Sequence, residues 1–168
     1  EQPLADVAFT LLEGRHGFEH RRVLGAKTHE EAAALLESND ARRVFNHVLE
    51  LDQPSVVFMF PGGGAQYFQM GRGLYAAEPV FREHIDRGLA TLKSRFGVDL
   101  APIFFAEEDS REHAVTQLAK PSVQLPLIFL VEYALTRLLQ HYGVEPAAVI
   151  GHSLGENTAA CVAGVMSF

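Results

Sequence analysis

One stretch constrains this chain more than any other: Ala148-Val149-Ile150-Gly151-His152-Ser153-Leu154-Gly155-Glu156. The apolar run over residues 147–150 reads as a buried strand. Gly151 and Gly155 bracket Ser153 at G-x-S-x-G spacing, and a small-residue helical pattern follows over 157–164. Strand, sharp turn and helix with a serine at the tip is the context of a nucleophile elbow. The turn is so tight that a Cβ at either glycine would collide with the neighbouring strand or helix. Ser153 falls at the helix N-terminus, where unpaired N–H groups and the helix dipole favour negative charge. It is the candidate nucleophile, beside a ready-made anion site. The competing reading is a strand-to-helix turn that merely carries a serine.

A second signal lies about ninety residues upstream. Residues 55–60 (SVVFMF) are β-branched, aromatic and uncharged, the pattern of a fully buried parallel strand. Pro61-Gly62-Gly63-Gly64-Ala65-Gln66 follows directly. Glycines at the carboxyl end of such a strand let backbone approach a ligand, and open α/β sheets bind ligands at that edge. The loop reads as an oxyanion or anion-binding loop, or as a flexible turn into a helix. It lacks the Lys-Ser/Thr of a phosphate loop, which argues against a nucleotide. If the two strands are neighbours, the N–H groups of Gly63 and Leu154 form an oxyanion hole, and the chemistry is acyl transfer through an acyl-serine. His152 is expected to point away from Ser153 and to help hold the elbow. The other histidines lie in surface-type patterns, so the general base is expected outside this chain.

The rest of the chain supplies the scaffold. Residues 3–13 show a helical apolar face ended by Gly14, 18–26 and 41–45 read as strands, and Thr28 with Glu31 forms a capping box for a helix reaching Ser38. This opening third is a small α+β unit, and its Arg and His residues read as a solvated face. Asp52-Gln53-Pro54 marks a boundary. Glu78 and Pro79 open a helix closed by Gly97, residues 102–106 are a short apolar piece, and 110–118 read as a helix broken by Lys120-Pro121. A long helix is expected over 125–142, with Pro126 in its first turn. Glu132, embedded in its apolar face, reads as a structural carboxylate rather than a catalytic one. Glu107-Glu108-Asp109 reads as a solvated helix start, not a metal site. The order from residue 55 onward is that of an α/β domain with a parallel sheet and a long right-handed crossover.

The formal charge of −7 and the lack of a basic run argue against nucleic acid as a partner. The longest apolar run, 125–131, is too short to span a membrane. Cys161 is the single cysteine and reads as a small buried helix residue, and no secretory signal is visible, which fits a cytoplasmic setting. Because a serine nucleophile needs a base, the chain reads as part of something larger.

Phe60-Pro61-Gly62-x-Gly64-Ala65-Gln66, followed by Gly151-His152-Ser153-Leu154-Gly155-Glu156, resembles the acyltransferase domain of modular type I polyketide synthases. It is also similar to the malonyl-CoA:acyl-carrier-protein transacylases, and Pro126, Phe129 and Glu132-Tyr133-Ala134-Leu135 fit the helix those families place between the motifs. Ala5-Asp6-Val7-Ala8-Phe9-Thr10 and Phe18-Glu19-His20-Arg21-Arg22 resemble the linker between ketosynthase and acyltransferase. The resemblance implies that 1–53 are this linker and 54–168 the N-terminal part of the acyltransferase large subdomain, with an α/β-hydrolase-like core.

It implies that Ser153 takes a malonyl-type extender from coenzyme A and passes it to the phosphopantetheine thiol of an acyl carrier protein. Gly63 and Leu154 would supply the oxyanion N–H groups, with Gly62, Gly64, Gln66, Gly151, His152 and Gly155 in support. No bound cofactor or metal is implied. The implied partners are the carrier protein, the ketosynthase and other synthase domains, and malonyl-CoA or a related extender. Gly63 stands where the family usually has glutamine, and Asn157 where tyrosine is common; the apolar Leu154 points toward malonyl. The family's catalytic histidine, carboxylate-binding arginine and specificity motif fall beyond Phe168. Residues 1–168 alone are expected to show no turnover and poor stability. The alternatives are a serine hydrolase using the same elbow and a non-catalytic module of a synthase.

Overall fold

Residues 2–38, 40–49 and 54–168 are described by the computed structural model. The chain divides into two units, Glu1–Pro54 and Ser55–Phe168. Asp52 and Gln53 of the expected boundary lie outside the described residues.

The first unit holds α1 (Leu4–Glu13), β1 (His20–Leu24), α2 (His29–Ser38) and β2 (Val44–Val48). The N–H of Gly14 closes α1 on the Thr10 carbonyl. At the start of α2 the Glu31 N–H donates to Thr28 Oγ1 at 3.1 Å, and Glu31 Oε2 reaches back one residue beyond the cap, to the Lys27 N–H at 2.7 Å. The two strands pair antiparallel, from His20↔Val48 to Leu24↔Val44, and Leu35 and Val44 are buried. The second strand lies three residues later than its expected position at 41–45. Asp40 is the cause: its carboxylate accepts the Arg42 N–H and its carbonyl accepts those of Arg43 and Val44, winding 41–43 into a turn. Of the arginines, Arg22 meets Asn46 at 2.6 Å and Arg43 pairs with Glu31, both exposed, as a solvated face requires.

The second unit runs β3 (Val57–Phe60), α3 (Arg72–Ala77), α4 (Pro79–Phe96), α5 (Ala101–Phe104), a 3₁₀ turn (Glu108–Ser110), α6 (Arg111–Leu118), α7 (Pro121–His141), β4 (Ala148–Gly151) and α8 (Gly155–Val162). β3 and β4 pair in parallel, from Val57↔Ala148 to Phe60↔Gly151. The main core joins Phe81, Ile85 and Leu89 of α4 to Leu127, Leu130, Ala134 and Leu138 of α7. Each of the larger of these side chains contributes about 1.5–3 kcal/mol on burial. Glu107 pairs with Arg72 and Glu108 with Arg111, so the acidic triplet faces solvent and cations.

Three expectations change. α3 was not foreseen. α7 begins at Pro121, not at 125: the proline that stops α6 takes the first position of the next helix, where its missing N–H is harmless. Pro126 therefore sits inside α7, past its first turn. β3 is buried on one face rather than two. Phe58 and Phe60 pack with Ala159, whereas Val57 and Met59 are 52% and 76% exposed, because no element covers the Met59 face among the described residues. α7 is also long and apolar enough, by composition alone, to cross a membrane; its apolar face is instead packed in this core.

Candidate active site

The carboxyl ends of β3 and β4 bring the two glycine motifs together. The His152 N–H donates to the Phe60 carbonyl at 3.0 Å, extending the ladder to the edge of the turn. The chain then reverses at Ser153, whose φ of 54° is left-handed, a conformation that non-glycine residues adopt only under constraint. The outer glycines of the motif are fixed by close approach. A Cβ on Gly151 would strike the Gly155–Glu156 peptide, and one on Gly155 would strike the Phe60 carbonyl and lie 2.7 Å from the Pro61 oxygen. Gly62 is held just as tightly: its Cβ position is 2.9 Å from both the Ser153 Cβ and the His152 carbonyl oxygen. The loop after β3 thus abuts the serine-bearing turn.

The start of α8 winds tightly. Gly155, Glu156 and Asn157 each donate to the residue three before, so their N–H groups are spent on His152, Ser153 and Leu154. The Leu154 N–H donates to no acceptor among the described residues. In the facing loop Gly62 accepts from the Ala65 N–H, and the Gly64 N–H donates to Gln66 Oε1 at 2.9 Å. The Gly63 N–H has no acceptor among the described residues, and the same holds for the N–H groups of Gly62 and Ser153. Unspent backbone donors thus lie on both abutting segments, beside an exposed serine. Gly63 has no left-handed φ, and its Cβ position meets only Leu125 at 3.4 Å and Gln124 at 3.6 Å, so a side chain fits there.

His152 contributes through its backbone at both ends, while its exposed imidazole lies beside the Gly62 position. Gln66 shapes the glycine loop from within. Cys161 is buried, and burial pushes its thiol above the usual range, as befits a packing residue. Glu132 and Thr158 were not linked by sequence. Both are buried, and the Thr158 hydroxyl donates to Glu132 Oε2 at 2.5 Å, tying α7 to α8. Burial pushes the Glu132 carboxyl up; the Thr158 hydrogen bond pulls weakly the other way. The partners are 26 residues apart, so no local pattern announces the pair.

Residues 57–168 match the family described as acyl transferase domain, and residues 1–36 match the family described as CurL-like, PKS C-terminal. The chain is 37% identical over 164 residues to orsellinic acid synthase armB of Armillaria mellea, a match covering 98% of this chain and 7% of that protein. The chain spans a small part of the length of the curated relatives it matches. Among solved structures, the acyl transferase domain of ZmaA superposes with a TM-score of 0.91 at 36% identity, covering 99% of this chain and 38% of that one. A malonyl-transacylase solved in complex with a type II PKS acyl-carrier protein gives a TM-score of 0.55 at 28% identity, covering 66% of this chain and 33% of that one.

Proposed function

Since the chain belongs to the acyl transferase domain family of polyketide synthases, we propose that Ser153 carries a malonyl-type extender group from coenzyme A to an acyl carrier protein. Ser153 Oγ attacks the thioester carbonyl, and the new C–O bond forms as the carbonyl oxygen takes up negative charge. The Gly63 and Leu154 N–H groups receive that oxygen. The intermediate collapses with cleavage of the C–S bond, and coenzyme A leaves as the thiol with the proton that Ser153 gave up. The second half reverses these steps with the phosphopantetheine thiol of the carrier as nucleophile. A general base relays the proton, and an arginine would pair with the malonyl carboxylate.

One observation supports this reading: the strained Ser153 turn and the Gly62–Gly64 loop abut, and the Gly63 and Leu154 N–H groups are among the backbone donors left unspent there. The carrier as acceptor is supported by the carrier complex of the related malonyl-transacylase. We assign residues 1–53 to a ketosynthase-to-acyltransferase linker, supported by the synthase-family match over 1–36. The test is mass spectrometry of the complete protein after exposure to malonyl-CoA, with and without a carrier protein. We expect a malonyl adduct on Ser153, its transfer to the carrier, and no adduct in Ser153→Ala. An unchanged adduct in that variant, or release of free malonate without carrier acylation, would overturn the proposal.

A further inference from the structure

The proposed oxyanion hole is split between two segments far apart in sequence, and one helix touches both. On the Gly63 side, the contacts of the glycine's Cβ position are Leu125 and Gln124, at the N-terminal end of α7. On the Leu154 side, α8 is bound to α7 by the Thr158–Glu132 hydrogen bond, with Thr158 one helical turn beyond Leu154. Leu125 and Leu154 also line one apolar cleft, together with Pro126 and Phe129. Leu125 and Glu132 are seven residues apart, about 10 Å along the helix axis.

We infer that Glu132 and Thr158 are positioning residues: α7 acts as a common rail for both oxyanion donors, and the Glu132–Thr158 bond fixes the Leu154 donor relative to the Gly63 donor. The inference rests on the acyl-transfer reading of the site. Its physical ground is the choice of groups. Thr158 is fully buried and Glu132 is 9% exposed, and the other buried residues of α8 are Gly155, Ala159 and Cys161. Burying a carboxyl is unfavourable, and an apolar pair would hold two helices together at least as well. What an apolar pair lacks is direction. A hydrogen bond has a preferred direction as well as a length, so the 2.5 Å Thr158–Glu132 bond restricts both the approach of α8 to α7 and the rotation of α8 about its own axis, and Leu154 stands at the N-terminus of that helix. A second buried hydroxyl, Thr136 Oγ1, donates to the Glu132 carbonyl at 2.8 Å and braces the same turn of α7. The left-handed Ser153 turn also needs its flanking elements held, since such a conformation persists only where the surroundings over-determine it.

The test compares variants of the complete protein by the single-turnover rate of Ser153 acylation, its dependence on malonyl-CoA concentration, and the thermal midpoint. Thr158→Val keeps the shape and removes the donor. It is expected to slow acylation by roughly tenfold or more with the half-saturating malonyl-CoA concentration unchanged, as a small misplacement of a catalytic donor does. Thr158→Ser, which keeps the hydroxyl, and Glu132→Gln, which keeps the acceptor, are expected to restore most of the rate. If Thr158→Val folds and acylates at the wild-type rate, with only its thermal midpoint lowered, the bond is structural alone and the inference fails. A change confined to half-saturation also overturns it. Should Thr158→Val not fold, Glu132→Gln against Glu132→Met makes the same comparison from the other partner. A wild-type protein that forms no acyl-serine would instead sink the proposed function, and the positioning role with it.

Discussion

A methyl group at Gly155 has no room: it would fall on the Phe60 carbonyl and within 2.7 Å of the Pro61 oxygen, both backbone atoms that cannot turn aside. Gly155→Ala is expected to destabilise the chain by about 3 kcal/mol or more. Gly63→Ala meets only flexible side chains in an ordinary backbone conformation and is expected to change stability by no more than about 1 kcal/mol. Denaturant titration of the two variants separates a close-approach glycine from a permissive one. Ser153 offers a second contrast. Relief of its left-handed φ should make Ser153→Gly more stable than Ser153→Ala by about 1 kcal/mol, while neither forms an acyl adduct. Glu132 provides a pH test. Burial raises its carboxyl above the unfolded value, so the native state binds the extra proton and the stability that proton confers is lost as pH rises through the raised pKa. Glu132→Gln has no such proton to lose. Its thermal midpoint relative to wild type should therefore rise as pH is taken from below the ordinary carboxylate range toward neutrality; a pH-independent difference would refute the assignment.

At the scale of elements, Thr28 caps α2 through the Glu31 N–H, and Thr28→Ala is expected to lower stability by about 1 kcal/mol, read as a shift in the unfolding of the first unit. This cap was legible because its partners are three residues apart. So were the limits of α4, set by Pro79 and Gly97, and the parallel pairing of β3 with β4, announced by two glycine motifs at strand ends. The displacement of β2 was not legible, since β-branched pattern alone does not reveal that Asp40 captures three consecutive N–H groups. Nor was the start of α7, because Pro121 serves equally as a stop for one helix and as the first residue of another. Within the site, Ser153, Gly63 and Leu154 stood out in the motifs themselves. Glu132 drew notice only as a charge in an apolar stripe, and Thr158 drew none, for their bond depends on how α7 and α8 cross.

Across the second unit, the least expected property is the open face of its sheet. Val57, Met59 and Ile150 lie on one side of β3 and β4 at 52%, 76% and 54% exposure, although the sequence of β3 reads as buried on both faces. Sequence pattern records how apolar a strand is, not which layers are present to cover it. Met59→Lys is expected to reduce self-association of residues 1–168 in sedimentation velocity while changing thermal stability by less than about 0.5 kcal/mol. Persistent association in that variant would place the sticky surface elsewhere.

The ordinary backbone of Gly63 and its side-chain-only surroundings have one further consequence. The donor proposed there belongs to the main chain, and a Cβ beside it would meet Leu125 and Gln124 only at ordinary contact distance. The position therefore decouples machinery from decoration. A side chain carried at residue 63 would stand on the rim of the serine turn while the peptide N–H stays in register, which makes the position a natural attachment point for retuning what the turn admits.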